Sequence, residues 1–455
     1  MSIIGKIKFL DSSRIVIFSF LIIILIGTLL LMLPGSAQRQ SLAFIDALFT
    51  ATSATCVTGL TVVDTRTSYS LFGRIVILML IQAGGLGIMT FSTFFVFLMM
   101  GKFSISGRDV IQETMTQQPF RNIAGLLKTI FITTILIELA GTLLLTVCFW
   151  DQFPPLQSFY CGAFHAISAF CNAGFSLFPN SLIDYRGDWK INLIIMALII
   201  CGGLGFIVLS DIKRYFFIRS RPMKSAFSFH SKLVLVITLA LIIGGASILF
   251  LFELQNVLDH QPLSIKILVP LFQSVTSRTA GFNTVDIAKL TDSSLFFIIL
   301  LMFIGASPGS CGGGIKTTTA GVVFAMLLAR SKNREDVNIG RHRIPNEIVS
   351  KAVSVTFVAM AVVILATILL MLVEQWGISH QYTRGLFLES FFEVISAFGT
   401  VGLSTGITPE LSFLGKLILI IVMFIGRVGP LTVVLAVGRK IAPRFKYAQE
   451  NVLIG

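Results

Sequence analysis

The sequence predicts an all-α polytopic membrane protein made of four tandem helix, re-entrant loop, helix repeats, with eight transmembrane spans and both termini cytoplasmic. Three observations predict it: long uncharged apolar runs, basic residues concentrated in alternate connectors, and a glycine-centred segment that recurs four times.

Of the 455 residues, 55% are hydrophobic and 13% charged, against roughly 45–50% and about 25% in an average soluble domain. A soluble fold would leave much of that apolar surface uncovered. Stretches such as Ile15 to Leu33, Leu233 to Phe252 and Phe357 to Val373 carry no charge and approach the roughly 20 residues needed to cross a hydrocarbon core about 30 Å thick. The first run lacks a small-residue cleavage site and matches the later ones in character, so it reads as a retained helix rather than a secretory signal.

The net charge of +13 raises the question of nucleic acid, and the placement of the charge answers it. Of the 35 basic residues, 22 lie in the N-terminus (Lys6, Lys8, Arg14), in connectors near 102–121, 213–232 and 330–351, and in the C-terminus (Arg439 to Lys446). The intervening connectors hold nine. By the positive-inside rule both termini and the three basic connectors are cytoplasmic. The basic balance is thus topology, with membrane lipid and not nucleic acid as the surroundings.

The repeats follow in order. Unit 1 (residues 1–101) has an outer helix near 15–33, a half-length stretch from Leu42 to Ala54, a loop at Gly59 and an inner helix near 72–100. Unit 2 (121–219) repeats this with 123–149, Phe159 to Ala169, Gly174 and 191–218. Unit 3 (230–332) does so with 231–252, Ile265 to Thr276, Gly281 and 294–330. Unit 4 (350–440) has 352–375, Leu386 to Ala397, Gly402 and 413–438, and a cytoplasmic tail covers 441–455. The loop segments start at Ser53, Ser168, Val275 and Ser396, and a small polar residue stands two places after each glycine: Thr61, Ser176, Asn283 and Ser404. A second glycine cluster closes 27 to 31 residues after each loop glycine, ending at Gly87, Gly205, Gly309 and Gly429. Stretches of about 12 residues are too short to span, and fixed spacing kept four times marks an internal repeat.

Non-helical backbone at membrane depth persists only against protein or water, so the four loops are expected to meet around one pore. Backbone carbonyls can replace the hydration shell of a cation. Glycine accepts the dihedrals such a loop needs, and half-helices ending at the loop add partial negative charge. The competing reading is that the glycines only let helices pack closely.

The segments Ala51 to Gly59, Thr276 to Thr284 and Gly309 to Thr317 carry a further signal. Through them the chain resembles, over nearly its whole length, the Trk/Ktr/HKT superfamily of potassium transporters. The resemblance implies potassium uptake through a carbonyl-lined selectivity filter formed by Val57, Thr58 and Gly59; Asn172, Ala173 and Gly174; Thr279, Ala280 and Gly281; and Thr400, Val401 and Gly402. In plant relatives a serine at the first filter glycine goes with sodium transport, and Gly59 therefore leans to potassium. One filter glycine per loop, against two in ordinary potassium channels, implies fewer coordinating rings and looser selectivity. The resemblance further implies a homodimer, a cytoplasmic nucleotide-binding RCK regulatory protein (KtrA-like), and sodium as a coupling or activating ion in a symporter-like, sodium-dependent uptake. A secondary transporter of another monovalent cation stays open as the competing function.

The third inner segment holds five glycines and a proline between Gly305 and Thr317, which costs a helix about 1 kcal/mol per glycine and about 3 for proline. It is expected to break there and form an intramembrane gate of Gly305, Ser307, Gly309, Ser310, Gly312, Gly313, Gly314 and Lys316. Arg427, mid-helix in unit 4, is expected at the pore as a fixed positive charge, with an acidic partner on a neighbouring helix as the other reading. Glu138 reads as a structural or protonated carboxyl. Gly314-Ile-Lys-Thr317 misses the phosphate-loop spacing by one residue. The six cysteines and five histidines show no ligand or disulfide spacing. No enzyme, resident metal or organic cofactor is expected.

Overall fold

The computed structural model describes residues 12–38, 42–87, 123–217, 227–430 and 432–433. Lys6, Lys8, the 102–121 connector and the 441–455 tail lie outside the described residues. Unit 1 runs from α1 (Ser12–Met32) through α2 (Phe44–Cys56) to α3 (Leu71–Gly85). Unit 2 comprises α4 (Ile123–Phe149), α5 (Pro155–Phe170), α6 (Trp189–Leu204) and α7 (Phe206–Phe217). Unit 3 comprises α8 (Phe229–Glu253), α9 (Leu263–Thr276), α10 (Asp292–Phe303) and α11 (Thr317–Ser331), and unit 4 comprises α12 (Asn346–Glu374), α13 (Leu386–Gly399) and α14 (Phe413–Val428). A two-residue hairpin of β1 (Asn338–Ile339) and β2 (His342–Arg343), turning at Gly340, sits between units 3 and 4.

The first helix of each unit has 21 to 29 residues, enough at 1.5 Å per residue for a hydrocarbon core of about 30 Å. By length and apolarity alone, three helices among the described residues can cross a membrane, and the bent pair α6 and α7 makes a fourth. The outward faces of the four first helices, α1, α4, α8 and α12, expose Leu29, Leu136, Val147, Val236 and Phe357, the side chains a lipid environment would cover. The second helices have 13 to 16 residues, and each buries a phenylalanine at its middle: Phe49, Phe164, Phe272 and Phe392. One apolar cluster joins units 1, 2 and 3 around Ile77, Phe170 and Phe272, and a second joins units 1, 3 and 4 around Phe49, Phe392 and Met423.

The inner helices start where the sequence offers a cap. Ser70, Asp188, Thr291 and Ser412 each accept a hydrogen bond from a backbone N–H of the first turn, satisfying donors that the helix itself cannot. In units 3 and 4 the outer helix ties down that cap. Glu253 accepts from the N–H and hydroxyl of Thr291, both at 2.9 Å, and Glu374 does the same for Ser412 at 3.0 and 2.7 Å.

The expectation of continuous inner helices in units 1, 2 and 4 is corrected. α3 stops at Gly85 and α14 at Val428, while α6 and α7 meet at 106° across Gly205. At each break a glycine leaves the helical region: Gly87, Gly205 and Gly429 have φ of 81°, 91° and 98°. In unit 3 residues 304–316 are non-helical, a longer break than the one at Gly205 in unit 2, and a break in the inner segment is not unique to unit 3.

Candidate functional site

The four loop glycines meet. A Cβ placed on Gly59 would lie 2.5 Å from the carbonyl oxygen of Ala173, and one on Gly174 would lie 2.8 Å from that of Ala280. One on Gly281 would strike the carbonyl oxygen of Val401, and one on Gly402 that of Thr58. The contacts run from unit 1 to 2, 2 to 3, 3 to 4 and back to 1, which is a closed ring in chain order. There is no room for a side chain at any of the four positions, and all four have φ between 69° and 94°.

Two residues before each glycine stands a non-glycine residue with positive φ: Val57 at 57°, Asn172 at 58°, Thr279 at 72° and Thr400 at 50°. Three of the four are β-branched, the residue types least suited to this conformation. Such outliers persist only where surrounding structure over-determines them, and they cluster at functional sites. In units 1, 2 and 4 the determinant is a helix-ending turn. The N–H groups of Thr58, Ala173 and Val401 reach back to the carbonyls of Ser53, Ser168 and Ser396 at 2.8, 2.7 and 2.8 Å, the bond that closes a helix over a left-handed residue.

Hydroxyls then clamp each loop to its helix. Ser53 and Ser396 accept from the N–H of Gly59 and Gly402 at 3.1 and 3.0 Å, and Ser168 donates to the carbonyl of Phe175 at 2.8 Å. In unit 3 the clamp is Thr276, donating to Phe282 at 2.6 Å. That corrects the register read from sequence, which set Val275 against the three serines. Unit 3 is one residue shorter between clamp and glycine, so Phe272-Gln273 of α9 corresponds to Phe49-Thr50, Phe164-His165 and Phe392-Glu393.

On one side the ring opens into a cavity of about 510 Å³ lined by all four glycines, by Thr61, Ser176, Asn283 and Ser404, and by Asp64, Asp286 and Lys289. The small polar residues singled out two places after each glycine are thus brought together. The four short helices end at the ring, so their C-terminal partial charges face it.

On the other side lies the 304–316 segment. Its Gly313 N–H donates to the Thr400 hydroxyl at 3.0 Å, and Gly312 packs so closely on Thr279 that a Cβ would strike its hydroxyl. The segment also completes the broken end of α6: the N–H groups of Ser307 and Cys311 donate to the carbonyls of Gly203 and Gly202, both at 3.1 Å, and Phe206 N–H donates to Gly309 at 2.9 Å. These are the carbonyls a terminated helix leaves unpaired. Ser310 donates to the Ser307 carbonyl at 2.6 Å, and Lys316 Nζ to the Gly312 carbonyl at 2.7 Å. Gly305 N–H and the Ile315 carbonyl, 2.8 Å apart, close the base of the segment, with Gly314 at φ 65°.

Arg427 donates to the carbonyls of Cys311 and Gly84. It therefore pins α14 to the segment and to the C-terminal end of α3, and its hydrogen-bond partners among the described residues are carbonyls rather than the acidic residue considered from sequence. Glu138 does have a structural partner, Gln82 of α3 at 3.1 Å. The six cysteines are free thiols.

The first glycine of three inner clusters has a packing role. A Cβ on Gly84, Gly202 or Gly426 would strike the carbonyl of Thr55, Phe170 or Phe398 in the last turn of the neighbouring short helix. Close packing accounts for these glycines, while the loop glycines belong to the ring. Sequence reasoning missed the left-handed Val57, Thr279 and Thr400, because nothing in a β-branched residue signals positive φ; Asn172 alone carries a weak signal.

Comparison with known proteins agrees with this architecture. Residues 5–447 match the TrkH family, described as cation transport protein. The chain is 41% identical to Ktr system potassium uptake protein B of Bacillus subtilis, covering 97% of this chain and 96% of that one. It is 36% identical to potassium/sodium uptake protein NtpJ of Enterococcus hirae, covering 98% of each. The crystal structure of the potassium transporter TrkH from Vibrio parahaemolyticus superposes with a TM-score of 0.70 over 94% of this chain and 85% of that one, at 20% identity, which establishes a shared fold.

Proposed function

The chain belongs to the TrkH family of cation transport proteins and is a multi-pass membrane protein, and from that premise we propose that it takes up potassium through the ring of four glycine loops. The observation that carries the proposal is the ring itself, closed by glycine against carbonyl in four consecutive contacts. Positive φ at the first and third residue of Val57–Gly59, Asn172–Gly174, Thr279–Gly281 and Thr400–Gly402 undoes the usual alternation of carbonyls along an extended chain. Carbonyls turned to one side of each loop make a stack of oxygen ligands for a dehydrated cation. Four helix C-termini and the acidic Asp64 at the mouth favour positive charge, while the lysine lining the cavity, Lys289, is paired with Asp286 at 3.5 Å.

In this reading the wide cavity is the outer vestibule. The segment from Gly305 to Lys316, with Ser307, Gly309, Ser310 and Gly312 to Gly314, is a gate beneath the filter, and Arg427 is its latch. The four units contribute eight spans with both termini cytoplasmic, so tags on either end should be reachable only from the cytoplasm and a tag near Asp184 only from outside. Labelling in the reverse sense would overturn this orientation. A homodimer with a cytoplasmic nucleotide-binding RCK protein, and sodium as the coupling or activating ion, complete the proposal. The Enterococcus relative, named for both potassium and sodium, lends weight to a sodium role.

Expression in a cell stripped of its own uptake systems should restore growth at low potassium, and more strongly with the RCK partner than without it. Absence of potassium-dependent rescue, with the protein present in the membrane, would remove the proposal.

A further inference from the structure

The residue that follows the buried phenylalanine of each short helix is polar and sits behind the ring: Thr50, His165, Gln273 and Glu393, all buried. An apolar side chain would be the ordinary filling for such a place, since burying a polar group unpaired is unfavourable. In units 2 and 4 the partner is the same. His165 Nε2 lies 3.0 Å from the hydroxyl of Ser176, and Glu393 accepts from the hydroxyl of Ser404. Both serines stand two places after the ring glycine and line the vestibule. Both also accept from the backbone N–H two residues on, Phe178 and Gly406, at 2.9 Å each. A buried side chain, a vestibule serine and a tight turn thus recur in units 2 and 4, which the order of the ring sets opposite each other.

The chemistry of each strut is fixed by its other contacts. The Cys161 carbonyl, 2.8 Å from His165 Nδ1, can only accept, so Nδ1 carries the proton and Nε2 of a neutral ring accepts from Ser176. Glu393 collects three donors: Ser404 Oγ, the Thr405 N–H at 3.2 Å and Thr408 Oγ1 at 2.8 Å. All three lie in the stretch leading away from Gly402. The other two units lack this link. Thr50 is engaged by Tyr69 at 2.9 Å, and both amide atoms of Gln273 are without a hydrogen-bond partner among the described residues.

We propose that His165 and Glu393 are positioning residues for ion selection: each holds the vestibule serine of its loop, and through it the ring glycine two residues earlier, so that loops 2 and 4 keep the geometry that favours potassium over sodium. Neither touches the ion; they act through Ser176 and Ser404. The proposal rests on the ring being the ion pathway.

Removing the Glu393 strut should loosen the mouth of loop 4 without blocking it. Glu393→Ala should raise the apparent KM for potassium about tenfold, as expected for loss of a few net hydrogen bonds, leave the maximal rate within about twofold, and let sodium compete. Glu393→Gln keeps an acceptor for Ser404 and should recover most of that loss. Should Glu393→Ala fail to accumulate, Ser404→Ala removes the same link from the exposed side and should shift the potassium-to-sodium ratio in the same direction. Its effect should be non-additive with that of Glu393→Ala wherever the double variant accumulates, and unchanged in the Glu393→Gln background. Variants present at normal levels with the wild-type KM and sodium discrimination would overturn the proposal. A wild-type protein that moves no potassium would instead overturn the pore reading, so the two failures are distinguishable.

Discussion

Gly281→Ser should weaken potassium uptake by about tenfold or more in apparent affinity and admit sodium. The estimate comes from two independent costs. A serine at φ 79° sits in a left-handed conformation that burdens any residue with a Cβ by about 1–2 kcal/mol, and 1.4 kcal/mol is a factor of ten. Its Cβ would also meet the carbonyl oxygen of Val401 and the Cα atoms of Gly174 and Gly402 at 3.1 and 3.2 Å. These neighbours are backbone, so relief requires the ring to widen. Widening is felt first by the ion that the ring must fit, and a serine hydroxyl at the mouth adds an oxygen that holds the smaller sodium ion well. Gly244→Ser is the matched control, since a Cβ there meets nothing within 4 Å. Uptake with unchanged affinity for both ions in Gly281→Ser would take loop 3 out of the ion path.

Much of this architecture was legible because membrane folding leaves few choices. Apolar runs long enough to span and half-length stretches before Gly59, Gly174, Gly281 and Gly402 are each local signals with a local cause. What escaped was non-local. The left-handed Val57, Thr279 and Thr400 are imposed by helix-ending turns and by ring closure, against the preference of a β-branched residue. The 106° bend at Gly205 and the end of α3 are accompanied by other segments that take carbonyls there: Ser307 and Cys311 those of Gly203 and Gly202, and Arg427 that of Gly84. The register of unit 3 was misread by one residue because the segments were aligned on their glycines, which puts Val275 in the serine position, and only the bond from Thr276 to Phe282 tells which residue acts as the clamp. His165 and Glu393 stand at the same distance before Gly174 and Gly402, but nothing in the sequence shows that each meets the serine two places after its glycine.

Deletion of Ser310 to Gly314 should raise potassium flux by about tenfold and release it from control by the cytoplasmic partner. The segment lies against the underside of the ring, where Gly312 and Gly313 touch Thr279 and Thr400, so along the proposed pathway an ion leaving the ring would have to pass it. Deletion removes the bonds from Gly313 to Thr400, Cys311 to Gly202, Arg427 to Cys311 and Lys316 to Gly312. At about 1 kcal/mol net apiece, losing even part of that anchorage is worth a factor of ten in rate. The base of the segment survives, because Gly305 to Ile315, Ser307 to Gly203 and Phe206 to Gly309 are outside the deletion, and α10 and α11 stay joined by a shorter loop. Arg427 also survives and keeps its bond to the Gly84 carbonyl, so its positive charge would remain beside the proposed path and limit the gain. A regulatory ring pulling on α11 would act on the closed state through the anchors just listed, and without them its nucleotide state should no longer change the flux. Uptake measured in vesicles holding equal amounts of wild-type and shortened protein decides the matter: a stably folded deletion variant whose flux stays low and fully regulated would place the gate elsewhere.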